Sequence, residues 1–348
     1  MGLKMFSMFS GIGGFELPLG ELGIKCVGLS EINTYAIQVL TKNFKCLNYG
    51  DAKLIDTDFL PNFDILCAGF PCQDFSIAGK RKGMRYKGAT TRSGLFTEIL
   101  RVLEDKHPKY IFLENVKGML NLRNKDNSKY AFDEIMIALS DLGYYLDFAI
   151  LNSKDFGLAQ NRQRVIVFGT LDKQSSSKIT DEIRDRLIKI NVNLFDSFLH
   201  NKIRIKKVVL KDIIQKSANI NIINKNIEIK KIPHPNSDIK CIGIIPESIK
   251  PKGNYFPRER VFSIDGISRA LTTVYAHLPM YQISKRIRKL TPIECERLMG
   301  FPDNWTKLGI ENRKTVSISD ANRYFLLGNA VPINIIREIT KEFLKWKK

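Results

Sequence analysis

The chain has 348 residues, 44% of them hydrophobic, with 55 Lys and Arg against 36 Asp and Glu. That length suits one large globular domain or two ordinary ones, no run of 18 apolar residues points to a spanning helix, and six scattered cysteines without a Cys-x-x-Cys pair, beside four histidines, argue against a disulfide framework or a zinc site, so no metal is expected. The net charge of +19 implies a polyanionic partner: DNA, RNA or an anionic membrane surface. A Lys- and Asn-rich background composition gives the same excess. Met1–Phe6 runs straight into a strand-like segment without a signal-peptide cleavage pattern, so the expected location is cytoplasmic.

Strand-like segments Met5–Phe9, Cys26–Leu29, Asp64–Ala68, Tyr110–Glu114, Tyr145–Leu151 and Val165–Gly169 alternate with helix-like segments Gly14–Leu22, Thr34–Asn43, Ser93–Glu104 and Phe132–Leu142. This alternation predicts a doubly wound α/β domain with a mostly parallel sheet. The pattern changes after residue 172. Between 171 and 287 there are 22 Lys and Arg against 11 Asp and Glu, so more than half of the net charge lies there. Turn signals cluster at Ile232–Asn236 and Lys250–Asn254. This part reads as a second, smaller, irregular domain over 173–317, with 1–172 plus 318–348 forming the first. Thr291-Pro292-Ile293-Glu294 predicts a helix start with a capping box and proline at the first helical position, and Gly300 with Pro302 its end. A Gly-Asn turn and a terminal helix are expected within Arg323–Trp346.

Several places carry chemistry. The turn Phe9-Ser10-Gly11-Ile12-Gly13-Gly14-Phe15 follows the first strand and opens the first helix, where small residues let the backbone approach a ligand. It has a glutamate where the dinucleotide fingerprint has its third glycine, and an ordinary tight βα turn has the same composition. Glu31 ends the second strand, a position suited to ribose hydroxyls, and Asp51 follows Gly50 where it could reach an adenine. Cys72, in Gly69-Phe70-Pro71-Cys72-Gln73-Asp74-Phe75-Ser76, sits past a buried-looking strand, where open α/β sheets place ligands; a small buried hydrophobe is the common alternative for a cysteine. Glu114-Asn115 ends the strand Tyr110–Leu113, so the carboxyl is expected to titrate high and to suit a proton donor, although a cap or surface acid reads similarly. Arg162 and Arg164 alternate before an apolar strand, which places both guanidiniums on one face and suits a phosphate or a base carbonyl.

In this order the motifs resemble those of the bacterial DNA (cytosine-5)-methyltransferases over nearly the whole chain. The resemblance also rests on Arg92–Phe96, on Arg288–Glu294 through Gly300-Phe301-Pro302, and on Gly328-Asn329-Ala330-Val331-Pro332. Two departures occur, Ser7-Met8 before Phe9 and Ile32 after Glu31, and neither touches the chemistry. The resemblance implies a Rossmann-like S-adenosylmethionine-dependent fold with a separate target-recognition domain. It implies S-adenosylmethionine held by Phe9–Phe15, Glu31, Ile32, Asp51, Ala52, Gly69, Pro71, Asn329, Ala330 and Val331. Cys72 would attack C6 of a flipped cytosine, with Glu114 donating to N3, Asn115 ordering the base edge or the loop, Arg164 at O2 and Arg162 holding neighbouring groups. Ser76 and the glycine-hinged basic loop with Lys80, Arg81, Lys82 and Arg85 would close over double-stranded DNA. Arg258, Arg260, Arg269, Thr272, Thr273, Tyr275 and His277 are candidate contacts in the recognition domain. A monomer in a restriction–modification system is expected, paired with an endonuclease. An RNA methyltransferase on the same scaffold, a non-catalytic DNA-binding protein and a nicotinamide-dependent oxidoreductase are the alternatives.

Overall fold

A computed structural model describes residues 2–71, 94–123, 130–172, 205–215, 238–244, 260–284 and 286–347. The strand-like segments of the first half form β1 (Lys4–Met8), β2 (Lys25–Ser30), β3 (Ile65–Gly69), β4 (Tyr110–Val116) and β5 (Tyr145–Asn152), then a two-residue β6 (Gln160–Asn161) and β7 (Gln163–Thr170). All but β6 join one sheet in the order β2-β1-β3-β4-β7-β5. The first four pair in parallel, whereas β7 runs antiparallel to both neighbours. The sheet is mostly parallel, as expected. The exception has a simple cause: residues 153–162 are too few for a parallel crossover, so β7 returns beside β5 as an antiparallel partner.

Strand alternation sends neighbouring apolar residues to opposite faces. Helices α1 (Glu16–Glu21), α2 (Thr34–Asn43), α3 (Gly94–Lys106) and α4 (Ala131–Asp141) follow the first four strands. Phe6, Met8, Leu66, Ala68, Ile111 and Leu113 pack with Phe96, Ile99 and Leu103 of α3 and Phe132, Ile135 and Met136 of α4. Met5, Ile65, Cys67, Tyr110 and Phe112 face the other way, onto Leu19 of α1. Glu114 was expected at the very end of its strand. It lies inside β4, because the pairing with β7 continues through Asn115↔Val165 and Val116↔Arg164.

In the second half, β8 (Cys241–Ile244), β9 (Arg260–Ser263), β11 (Met280–Ile283) and β12 (Arg286–Arg288) form a smaller sheet, ordered β12-β11-β9-β8. The short β10 (Ser268–Arg269) instead pairs with β6, tying the two halves together. Helices α5 (Pro292–Met299), α6 (Asp320–Asn329) and α7 (Ile333–Trp346) follow, with the hairpin of β13 (Leu308–Glu311) and β14 (Lys314–Ser317) between α5 and α6. That hairpin lies on α2: a Cβ at Gly309 would stand 2.5 Å from Gln38 Cβ. The α7 residues Ile335, Ile339 and Phe343 complete the sheet face that α1 covers. Among the described residues, no helix is long and apolar enough to cross a membrane.

The expected capping box is present. The Thr291 hydroxyl accepts from the Glu294 N–H, Glu294 accepts from the Thr291 N–H, and Gly300 ends α5 in the left-handed region at φ 84°. Glu294 also takes both terminal nitrogens of Arg288 at 2.7 Å and the Gln215 N–H at 2.8 Å, with both side chains of the ion pair buried. Removing one partner of such a pair strands the other charge in a dry site. Glu294→Ala should therefore lower the unfolding free energy by about 3–5 kcal/mol in urea titrations. A loss below about 1 kcal/mol, the range of an exposed pair, would show that the network does not organise this region.

Candidate active site

The sheet reverses its winding between β1 and β3, since β2 lies on one side of β1 and β3 on the other. Ligands of open α/β sheets settle outside the carboxyl ends of the strands at such a point. Here those ends launch the turn Phe9–Phe15 from β1 and the Phe70-Pro71 segment, leading to Cys72, from β3. Cys72 itself lies outside the described residues, as do Ser76, Lys80, Arg81, Lys82, Arg85 and Arg258.

The turn is held in an uncommon backbone path. Phe9, Gly11 and Gly13 have φ of 56°, 58° and 94°, and for a bulky aromatic such as Phe9 this region is an outlier. Two contacts stabilise it: the Ser10 N–H donates to the Ser30 carbonyl at 3.2 Å, and the Gly11 N–H donates to Glu31 Oε2 at 2.8 Å. Gly13 must be glycine twice over, because a Cβ would also meet the Phe44 ring at 2.5 Å. At Gly11 and Gly50 a Cβ would meet nothing within 4 Å, so open space borders the turn where a ligand would approach.

Glu31 Oε1 accepts from the N–H groups of Ile32 and Asn33. Its backbone is bracketed by Asn48, whose Oδ1 accepts from the Glu31 N–H and whose Nδ2 donates to the Glu31 carbonyl, both at 3.0 Å. The carboxylate still has lone pairs to offer to hydroxyl donors. Ile32 is 69% exposed beside it. Asp51 caps the turn Ala52–Leu54 through the Lys53 N–H, and Ala52 is buried. This donor set fits an adenosine-bearing group: an acid for ribose, an exposed apolar side chain for the base, and a glycine turn for the remainder.

At the opposite side of the switch point, Glu114 is buried and paired to Arg164 Nε at 2.7 Å. Burial pushes its carboxyl above the ordinary carboxylate range, against the opposing pull of Arg164 and Arg162. Asn115 Nδ2 donates to the Phe70 carbonyl at 2.9 Å, and its Oδ1 accepts from the Val116 N–H. Asn115 therefore fastens the chain two residues before Cys72 rather than capping the following turn. Of the two arginines expected on one face to suit a phosphate or a base carbonyl, Arg162 instead holds neighbouring backbone, in line with the role that the family resemblance implied for it. Both influence Glu114, but Arg162 is buried and spends its guanidinium on the carbonyls of Leu271, Gly328 and Ala330 at 3.2, 2.8 and 3.0 Å.

The Gly328–Pro332 motif joins these pieces. A Cβ at Gly14 would stand 2.7 Å from Val331 Cβ, and one at Gly69 would stand 3.1 Å from Val331 Cγ2 and 3.5 Å from Glu114 Oε2. Val331 is thus packed between the two strand-end segments, and the Glu114 carboxylate faces the same spot. Gly328 lies against Thr272 and Thr273, whose backbone would be 2.6–2.7 Å from its Cβ. Ala330 is buried, whereas Asn329 is exposed and its side chain donates to the Phe325 carbonyl. Of the recognition candidates, Arg269, Thr272 and His277 are exposed, Arg260, Thr273 and Tyr275 half-buried.

Sequence reasoning missed three residues. Trp305 Nε1 donates to the Ile12 carbonyl at 2.9 Å and its ring meets Phe44 edge-on, so a residue almost 300 positions away braces the glycine turn. Nothing local in the sequence signals this. Asn48 could have been found, since Asn48-Tyr49-Gly50 is a turn signal. The third is Glu16, in the place of the fingerprint's last glycine. It is buried, and among the described residues neither carboxylate oxygen has a hydrogen-bond partner. The Ser7 and Ser10 hydroxyls lie close by, but Ser10 Oγ donates to the Ser7 carbonyl.

Two outcomes follow. Trp305→Phe leaves the Ile12 carbonyl unpaired at a cost of about 1 kcal/mol, so KM for the nucleoside cofactor should rise about fivefold with kcat kept; an unchanged KM in steady-state assays would exclude the brace. Burial raises the Glu16 carboxyl above its unfolded value, so the folded state binds the extra proton and stability falls as pH rises from the ordinary carboxylate range towards the folded value. Glu16→Gln removes that loss. Its stability relative to the unchanged protein should improve between pH 4 and pH 8 in denaturant titrations, and a pH-independent difference would contradict the assignment.

The C-5 cytosine-specific DNA methylase family matches residues 3–345. The chain is similar to Type II methyltransferase M.HpaII of Haemophilus parainfluenzae, 34% identical over 360 residues and covering 97% of this chain and 88% of that protein. It is also similar to Type II methyltransferase M.HhaI of Haemophilus parahaemolyticus, 30% identical over 344 residues, with 97% and 93% covered. The solved S. pombe Dnmt2 methyltransferase shares the fold with a TM-score of 0.67 at 19% identity, over 99% of this chain and 100% of that one. The chain belongs to the C-5 cytosine-specific DNA methylase family and is a DNA (cytosine-5)-methyltransferase.

Proposed function

We propose that the enzyme methylates one cytosine within a specific duplex sequence, through a covalent bond between Cys72 and C6 of a base flipped out of the helix. The observation that carries this reading is Glu114: a buried carboxyl, pushed towards its neutral form, at the switch point between the cofactor turn and the segment leading to Cys72. S-adenosylmethionine, when bound, supplies the methyl group. Its adenosine would lie against Glu31, Ile32, Asp51 and Ala52, with Phe9–Phe15, Gly69, Pro71 and Asn329–Val331 around the remainder.

Cytosine C5 is a weak nucleophile. Attack of the Cys72 thiolate on C6 makes C5 enamine-like, while Glu114 gives its proton to N3 and removes the negative charge that would build up there. Arg164 holds the Glu114 carboxyl through Nε and keeps other donors for the base O2. Asn115 fixes the chain ahead of Cys72. After methyl transfer the C5 proton leaves to water, Glu114 takes back the N3 proton, and the Cys72 sulfur is expelled.

Arg258, Arg260, Arg269, Thr272 and Thr273 would read the duplex, and the basic loop with Ser76, Lys80, Arg81, Lys82 and Arg85 would close over the flipped base. The similarity to type II methyltransferases supports a restriction–modification role with a partner endonuclease, and one asymmetric reading domain supports a monomer acting on cytoplasmic DNA.

Labelled S-adenosylmethionine with mixed-sequence duplex DNA tests the reading. Label is expected in 5-methylcytosine at a single sequence context, and transfer to tRNA with none to DNA would overturn it. Cys72→Ser should lose turnover by about 10³-fold or more while retaining DNA binding. Duplexes with 5-fluorocytosine at the target should trap a covalent adduct mapped to Cys72, because fluorine does not leave C5 as a proton does; full activity of Cys72→Ser would reassign the nucleophile.

A further inference from the structure

Cys26 in β2 and Cys46 in the segment after α2 have their Sγ atoms 3.3 Å apart. Both are partly exposed, whereas the other described cysteines, Cys67, Cys241 and Cys295, are buried. The pairing of β1 with β2 shifts register here, Met5 facing Cys26 and Phe6 facing Gly28, which leaves Val27 as an extra residue in a bulge beside the pair. The thiols are also chemically unequal. The Cys26 S–H donates to Cys46, which pulls the Cys46 thiol below its ordinary range and pushes Cys26 up. One sulfur is thus biased towards the attacking thiolate and the other stays protonated beside it.

What the pair is attached to gives it a consequence. The segment carrying Cys46 continues along the edge of β2, where the Leu29 N–H donates to the Leu47 carbonyl and the Tyr49 N–H to the Leu29 carbonyl. Between them Asn48 brackets the backbone of Glu31, and Glu31 in turn holds the Gly11 N–H of the glycine turn. A change at Cys46 reaches the cofactor seat within five residues.

We propose that Cys26 and Cys46 are a redox modification site that closes reversibly to a disulfide and thereby weakens cofactor binding. With hydrogen peroxide as oxidant, the Cys46 thiolate takes one oxygen to become a sulfenic acid and the first water leaves. The Cys26 sulfur then attacks that sulfur, the S–S bond forms, and the oxygen departs as the second water. Two thiols lose two protons and two electrons to one peroxide, and a dithiol reductant reverses the step by exchange. Closing the bond draws the sulfurs together and pulls the Leu47–Tyr49 segment against β2, displacing Asn48 and, through it, Glu31. The effect on the cofactor rests on the reading of Glu31 as the ribose acid; the disulfide does not.

The full-length chain carrying Cys72→Ala separates this site from oxidation of the nucleophile. After stoichiometric peroxide, alkylation and digestion, a crosslinked Cys26–Cys46 peptide pair is expected, with a mass loss of two hydrogens. Calorimetry should show the S-adenosylmethionine Kd raised about fivefold, the low end of coupling between sites, and restored by dithiothreitol. In the same background Cys46→Ser should give neither change. Recovery of both cysteines as alkylated thiols after peroxide, or a crosslink with an unchanged Kd, overturns the proposal. Failure of the reduced protein to bind S-adenosylmethionine would count against the cofactor reading, and the peptide map would still decide the disulfide.

Discussion

One guanidinium connects the parts of this enzyme that have to act together. Arg162 leaves the sheet at the break between β6 and β7 and binds carbonyls from two other places: Leu271, next to the exposed Thr272, and the Gly328–Ala330 end of α6. Carbonyl oxygens at a helix terminus have no partner within the helix, and a buried cation without hydrogen bonds is costly. Each need answers the other. The sheet, the Gly328–Pro332 motif and the Leu271–Thr273 segment are therefore positioned by a single side chain.

The glycine turn and the Glu114 end of the candidate site are built differently. The turn is a backbone device, with positive φ at Phe9, Gly11 and Gly13 held by Glu31, Ser30 and Trp305. The Glu114 end is a side-chain device on three adjacent strands: β3 leads to Cys72, β4 carries Glu114 and Asn115, and β7 carries Arg164. Val331 packs at the seam, close enough to Gly14 and Gly69 that neither tolerates a Cβ without a shift. Two sets of requirements meet at one apolar side chain, which explains why a short motif near the end of the chain belongs to a site formed mostly near its beginning.

Local chemistry was legible in the sequence. Strand positions, the Thr291 capping box and the left-handed Gly300 follow from residues within a few positions of one another. The acids at successive strand ends were visible for the same reason. What was not visible depends on distant partners. The direction of β7 leaves no mark on its own periodicity and follows from the short link to β5. Glu114 looked terminal because Asn115 is polar, yet pairing with Val165 extends the strand. Trp305 bracing Ile12, and the three carbonyls that claim Arg162, join residues more than 100 positions apart, beyond the reach of any spacing rule.

The packing of α7 on the sheet carries a consequence for biosynthesis. Leu19 of α1 and Met5 and Tyr110 of the central strands share one apolar cluster with Ile335, Ile339 and Phe343. Contacts of such sequence separation form slowly, because the chain between must first be ordered. On a ribosome that emits the N-terminus first, α1 covers only part of this face until residues 333–346 have emerged, and exposed apolar strands in that interval favour aggregation. Chaperone demand and expression yield should therefore depend on α7, which joins this face long after Glu114, Arg164 and the segment leading to Cys72 have been made.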